Sequence, residues 1–212
     1  MSKCIMHREI GIDMGHRVPD HGSKCRNLHG HRYKIVATCE GKILDQDGNE
    51  ENGMVIDFGN VKKYMMDWLD SVFDHGFVVY KNDITLMNMF FPKNSKNAWQ
   101  GNTNINNNET IFKKFNEVWN KENKIYLELM KSKKYSNKIT LPNSLISNEN
   151  PSGLKIIIVN YVPTAENLAK HMYTLLSLPI KQHYGNDIKL VNLRLFETPN
   201  GYVDFPGMKY NN

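Results

Sequence analysis

Two histidines separated by a single glycine, His29-Gly30-His31, follow a third, His16, across a polar loop, and this spacing restricts the fold sharply. Residues i and i+2 of a strand project to the same face, so an extended segment turns His29 and His31 toward one point. Residues 5–12 carry apolar side chains at short spacing with no helix-capping signal, which predicts a strand ending near His16. An antiparallel partner containing His29 and His31 brings the third ring alongside. Three neutral imidazoles suit zinc and leave its fourth tetrahedral position open, the pattern of a catalytic rather than a structural ion. The competing reading is three unrelated histidines, the ordinary fate of a lone His; the pairing of the strands weighs against it.

Other chemistry-bearing residues cluster in the same stretches. Cys25 lies in the loop just before His29, as a fourth metal ligand, an acid-base or nucleophilic thiol, or an inert small side chain; spacing does not separate these roles. Asp74-His75 closes a helical segment, where a His is often a mere cap but an adjacent Asp can polarise the ring for proton transfer. Glu197 ends an apolar strand, either as a solvated strand end or as a carboxylate placed to accept a ligand's N–H groups. Cys4 and Cys39 fall in strand-like runs and read as core. The three cysteines form no CxxC pair, which argues against a disulfide framework and for a reducing compartment.

The rest of the chain sorts by period. YKIVATCE, residues 33–40, mixes β-branched and aromatic residues with alternating polar ones, a strand; MVIDF resumes an extended pattern after the turn-rich DQDGNEENG. From Asn60 the spacing becomes helical, with Val61, Tyr64, Met65, Trp68, Leu69 and Val72 on one face, ending near residues 74–76. LKIIIVNYV is an apolar strand or extended run. Thr164 is placed to cap a second helix, AENLAKHMYTLLS, which Pro179 and Gly185 break. IKLVNLRLFET and GYVDF form a final hairpin. Between about residues 93 and 150 the chain is rich in Asn and Lys and buries little apolar area, although Ile111, Phe112, Phe115, Val118, Trp119, Ile125 and Leu129 suggest one or two short amphipathic helices. A hydrophobic share of 40% supports a buried core. The formal charge of +5 suits an anionic small molecule as well as nucleic acid and decides nothing alone. There is no signal-peptide h-region at the N-terminus and no apolar run of spanning length, so the expectation is a cytoplasmic protein.

CRNLHGHRYKI, preceded by His16, resembles the signature of the 6-pyruvoyl-tetrahydropterin synthase family, and most closely its 6-carboxy-tetrahydropterin synthase branch, which supplies the 7-deazaguanine and queuosine pathway. GMVIDFGNVK, FDHGFVV, VPTAENLAK and LRLFETPNGYVDF resemble the family's further blocks in order. The resemblance implies an α+β tunnelling fold (T-fold): one domain over residues 1–212, a four-stranded antiparallel sheet with two helices on one face, and an Asn/Lys-rich insertion at about 93–150. It implies zinc on His16, His29 and His31, Cys25 as the catalytic thiol, and Asp74 with His75 as its proton relay, contributed by a neighbouring subunit. It also implies Glu197 as the anchor of the pterin's guanidine-like edge, with Thr164 beside it. The expected substrate is 7,8-dihydroneopterin triphosphate, and the expected assembly is a homohexamer built as a dimer of trimers, with neither nucleic acid nor a membrane as partner. CxxxHGH favours the carboxy-forming lyase over a 6-pyruvoyl-tetrahydropterin synthase that stops after triphosphate loss. A zinc-stabilised scaffold without catalysis is the remaining alternative, and the presence of Cys25, Asp74 and His75 weighs against it.

Overall fold

A computed structural model describes residues 3–80, 82–90, 154–159 and 161–207. The insertion expected at about 93–150, with its amphipathic stretch, lies outside the described residues. In chain order the described elements are β1 (Lys3–His16), a single 3-10 turn (Lys24–Arg26), β2 (His29–Lys42) and α1 (Phe58–Met65). α1 continues through a π turn (Met66–Asp70) into a last turn (Ser71–Phe73). Then come β3 (Gly76–Tyr80), α2 (Ile84–Phe90), β4 (Ile156–Val159), α3 (Ala165–Tyr184), β5 (Ile188–Thr198) and β6 (Gly201–Phe205). These elements form two compact units through which β1 and β2 both run: Met1–Asp13, His31–Asp74 and Thr164–Asn212 in one, Met14–Gly30 and His75–Pro163 in the other.

The first unit orders its strands β1-β2-β5-β6. β1 and β2 run in opposite directions, since Lys3 pairs with Glu40, His7 with Thr38 and Asp13 with Arg32. β2 and β5 are antiparallel from Lys34↔Phe196 to Gly41↔Ile188, and β5 and β6 are antiparallel from Leu193↔Phe205 to Thr198↔Gly201. The β2–β5 register slips at Thr38/Cys39, where Val191 is the extra residue of a bulge on β5. On β2 the buried apolar side chains keep one parity, Tyr33, Ile35, Ala37 and Cys39, whereas the apolar residues that β5 buries are Ile188 and Leu190 and then Leu193 and Leu195. Without the bulge that change of parity would turn the second pair toward the opposite face.

α3 packs on β5 and β6, and α1 packs on α3. α3 buries Leu168, Ala169, Met172, Leu175, Leu176 and Ile180, a stripe at three- and four-residue spacing. The Tyr173 hydroxyl donates to the Leu190 carbonyl at 2.9 Å, beside the bulge. α1 buries Val61, Met65, Trp68, Leu69 and Val72, the expected apolar face apart from the half-buried Tyr64. Two sequence expectations change here. MVIDF is no strand: it bends into α1, and the Asp57 carboxylate caps the helix by accepting the Gly59 N–H. Pro179 does not end α3, because Leu178, Pro179 and Ile180 are all buried and apolar contact outweighs the lost backbone bond. The helix stops at Gly185, whose φ of 61° favours glycine.

In the second unit the order is β4-β3-β1. The end of β1 pairs in parallel with β3 (Met14↔Gly76, Gly15↔Phe77), and β3 pairs in parallel with β4 from Phe77↔Ile156 to Tyr80↔Val159. The expected four-stranded antiparallel sheet is therefore β1, β2, β5 and β6, and among the described residues the end of β1 carries two further strands, β3 and β4, which pair in parallel. GFVVY is an unbroken apolar run with no period to distinguish strand from helix, and such runs are what buried parallel strands require. α2 buries Leu86, Met87 and Phe90, the last meeting Phe77 with ring centroids 5.8 Å apart. Asp83 starts this helix, its Oδ1 accepting the Leu86 N–H at 3.2 Å.

Candidate metal centre

β1 ends and β2 begins with the histidines. His16 is 1% exposed, and its Nδ1–H donates to the Pro163 carbonyl at 2.7 Å. The Nδ1–H of His29 donates to the Asn27 carbonyl at 2.8 Å. Each carbonyl selects the tautomer whose lone pair is on Nε2, which is how protein shells prepare imidazoles for a metal. The His16 and His29 rings lie 4.5 Å apart between centroids at 45°. Ligand atoms of His16, His29 and His31 all lie within 4.8 Å of one another. Tetrahedral zinc with bonds of about 2.0–2.1 Å sets its ligand nitrogens roughly 3.4 Å apart, so small ring rotations close the site. Among the described residues no other group of three or more His, Cys, Asp or Glu is gathered this way. Gly30 permits the approach of the strands: a Cβ there would stand 3.0 Å from the Met14 carbonyl oxygen and 3.4 Å from the Gly15 Cα.

Two residues beyond His31 on β2 sits Tyr33, fully buried, its ring meeting the His31 ring in a T-shape with centroids 5.5 Å apart. Its hydroxyl donates to Glu197 Oε1 at 3.3 Å. The strand register thus brings a predicted metal ligand and the predicted ligand anchor to the same tyrosine. The sequence reading did not single out Tyr33. Its signal was the period-2 continuation His29, His31, Tyr33.

The remaining predicted residues have distinct settings. Cys25 is half-buried in the 3-10 turn, and its carbonyl accepts the Val18 N–H at 2.8 Å. Asp74 follows the last turn of the α1 segment, and its Oδ1 accepts the Asp13 N–H at 2.8 Å. His75 takes a φ of 54°, the left-handed region, at a cost of order 1 kcal/mol; such outliers concentrate at functional sites. The Thr164 hydroxyl is the N-cap of α3, accepting the Asn167 N–H at 3.5 Å. A groove of about 570 Å³ lies at the other ends of β1, β2 and β5. Its lining of Lys3, Lys42 and Lys189 against Glu40, Asp45 and Asp187 balances charge, so it offers a polyanion no net attraction.

Solved structures share this fold. An uncharacterised Wolinella succinogenes protein superposes with a TM-score of 0.58 at 21% identity, covering 96% of this chain and 98% of that one. A 6-pyruvoyl tetrahydropterin synthase from Plasmodium vivax gives 0.51 at 12% identity, covering 96% and 97%. The architecture is the α+β tunnelling fold of such synthases. Residues 5–207 match the family model described as 6-pyruvoyl tetrahydropterin synthase, and the chain belongs to that family of lyases. Among curated relatives, a Rickettsia bellii 6-carboxy-5,6,7,8-tetrahydropterin synthase is 28% identical over 96% of this chain and 99% of its own length. The Rickettsia felis protein of the same name is 29% identical over the same shares. A Rickettsia typhi one reaches 40% over 39% of this chain and 55% of its own. Among the described residues no helix is long and apolar enough to cross a membrane.

Proposed function

We infer that the chain is a zinc-dependent 6-carboxy-5,6,7,8-tetrahydropterin synthase acting on 7,8-dihydroneopterin triphosphate, with triphosphate elimination and release of acetaldehyde, in a route to 7-deazaguanine and queuosine. The observation that carries the reading is the gathered His16, His29 and His31 with carbonyls on the Nδ1 atoms of His16 and His29. The full-length relatives of that name support the carboxy-forming branch.

His16, His29 and His31 hold the ion. When bound, zinc acts as a Lewis acid toward the substrate's side-chain oxygens and makes the adjacent C–H protons easier to remove. Cys25 Sγ and the Asp74-His75 pair move those protons, with one Asp74 oxygen steadied by the Asp13 N–H. Glu197 receives the adjacent N–H groups of the aminopyrimidinone ring, with Thr164 beside it, and the Tyr33 hydroxyl restrains the carboxylate through Oε1. Three unpaired thiols suit the cytoplasm. The assembly of this reading is a homohexamer, with Asp74 and His75 reaching a neighbour's Cys25.

The test is incubation of zinc-loaded protein with dihydroneopterin triphosphate and identification of products by mass. A 6-carboxy-tetrahydropterin with one acetaldehyde per turnover is expected. A 6-pyruvoyl product without acetaldehyde moves the chain to the other branch, and no turnover by metal-loaded protein overturns the catalytic reading.

A further inference from the structure

Arg17, directly after the ligand His16, spends its guanidinium in two directions. Nε and Nη2 meet the two carboxylate oxygens of Asp83, fork on fork, the Nη2 bond at 2.7 Å. The side chains of this pair are 18% and 2% exposed. Nη1 donates to the Arg26 carbonyl at 3.3 Å. The neighbouring bonds converge on the same turn: Val18 N–H holds the Cys25 carbonyl at 2.8 Å, and Asn27, whose N–H bonds the Lys24 carbonyl at 3.0 Å, offers its own carbonyl to His29. The Cys25 turn therefore hangs between residues 16–18 on one side and His29 on the other. Asp83 is itself fixed, since its carboxylate and carbonyl start α2 by accepting the Leu86 and Met87 N–H groups.

We propose that Arg17, braced by Asp83, is a positioning residue that sets where the Cys25 thiol stands relative to the metal-binding histidines. A buried ion pair is poor grounds for stability, because desolvation offsets much of the attraction. What the pair supplies is direction: a guanidinium locked on both carboxylate oxygens has its third arm aimed, and here the arm meets the carbonyl next to Cys25. A lysine can satisfy Asp83 as a point charge but cannot hold that carbonyl as well. The catalytic meaning of the position rests on the proposed role of Cys25; the positioning itself does not.

Arg17→Lys is the decisive variant, since Asp83→Asn leaves a part-buried guanidinium without its carboxylate and endangers the fold. Zinc-loaded wild type and Arg17→Lys are treated with iodoacetamide, and the labelling rate of each cysteine is followed by peptide mass spectrometry. Cys39, fully buried and with its thiol pushed up to about 12 by that burial, reports global opening. The expected result is Cys25 labelling at least fivefold faster with Cys39 still silent and zinc content unchanged. Turnover of dihydroneopterin triphosphate should fall about tenfold in kcat with KM within twofold. Cys25 labelling at the wild-type rate overturns the proposal, and so does Cys39 labelling in step with Cys25, which makes Arg17 a support of the whole fold. If wild type itself fails to turn over the triphosphate, the proposed function falls while the labelling comparison still decides the role of Arg17.

Discussion

Glu197 leaves β5 with Oε1 accepting the Tyr33 hydroxyl, so its carboxylate is oriented before any ligand arrives. Replacing it with Gln keeps the size but sets an N–H donor where a ring N–H must be received. Affinity for an unreactive pterin such as biopterin should weaken by about 2–4 kcal/mol, as expected for losing a charge-assisted bond and leaving a buried donor unpaired. Calorimetry reads this directly, and equal affinity in the Glu197→Gln variant would return Glu197 to an ordinary strand end. Cys25→Ala should keep its zinc and lose turnover, while Cys39→Ala, a change in the core, should do neither. Zinc lost together with turnover would make Cys25 a ligand. At this scale the sequence was informative where residue type and spacing both restrict chemistry, as for the three histidines. Tyr33 and Arg17 were opaque because their meaning depends on Glu197 and Asp83, partners remote in the chain that only the register and the α2 start bring close.

α3 carries a titration that the helix as a whole must absorb. The His171 and Phe73 rings meet in a T-shape with centroids 5.6 Å apart, and burial lowers the His171 pKa to about 4. In the unfolded chain the same ring titrates near about 6.5. Above that value neither state is protonated and the helix keeps its full stability. As pH falls from about 6.5 toward 4 the unfolded chain gains a proton that the native chain refuses, and stability declines. Urea midpoints should therefore drop across this window in wild type, and His171→Gln should show a shallower drop. An identical slope in both would mean His171 is not held neutral. Periodic elements were readable: β5, β6 and the start of α3 fall where the alternation and the Thr164 cap place them. Less readable were the aperiodic features. β3 is an unbroken apolar run with no period, although the similar run LKIIIVNYV did mark β4; the bend at residues 54–57 shares its composition with a strand, and α3 runs past Pro179 because tertiary burial overrides local propensity.

For the molecule as a whole, metal and fold are expected to separate. His29→Ala and His31→Ala should each lose about one zinc per chain by elemental analysis, with activity abolished. Their far-UV circular dichroism should stay near wild type, since an open catalytic site is not the core. Full zinc in a triple variant that also carries His16→Ala would sink the site. The three ligands span only residues 16–31, whereas the bond joining Tyr33 to Glu197 closes a loop of 164 residues. Closing a short loop costs less chain entropy than closing a long one, and contacts of low sequence separation form early. The histidine centre can therefore assemble in a nascent or partly unfolded chain that has not yet docked its C-terminal hairpin. Along a denaturant gradient zinc release should trail the loss of pterin affinity, so that retained metal, whose farthest support is the Pro163 carbonyl on His16, says nothing of the C-terminal hairpin, whereas substrate affinity does.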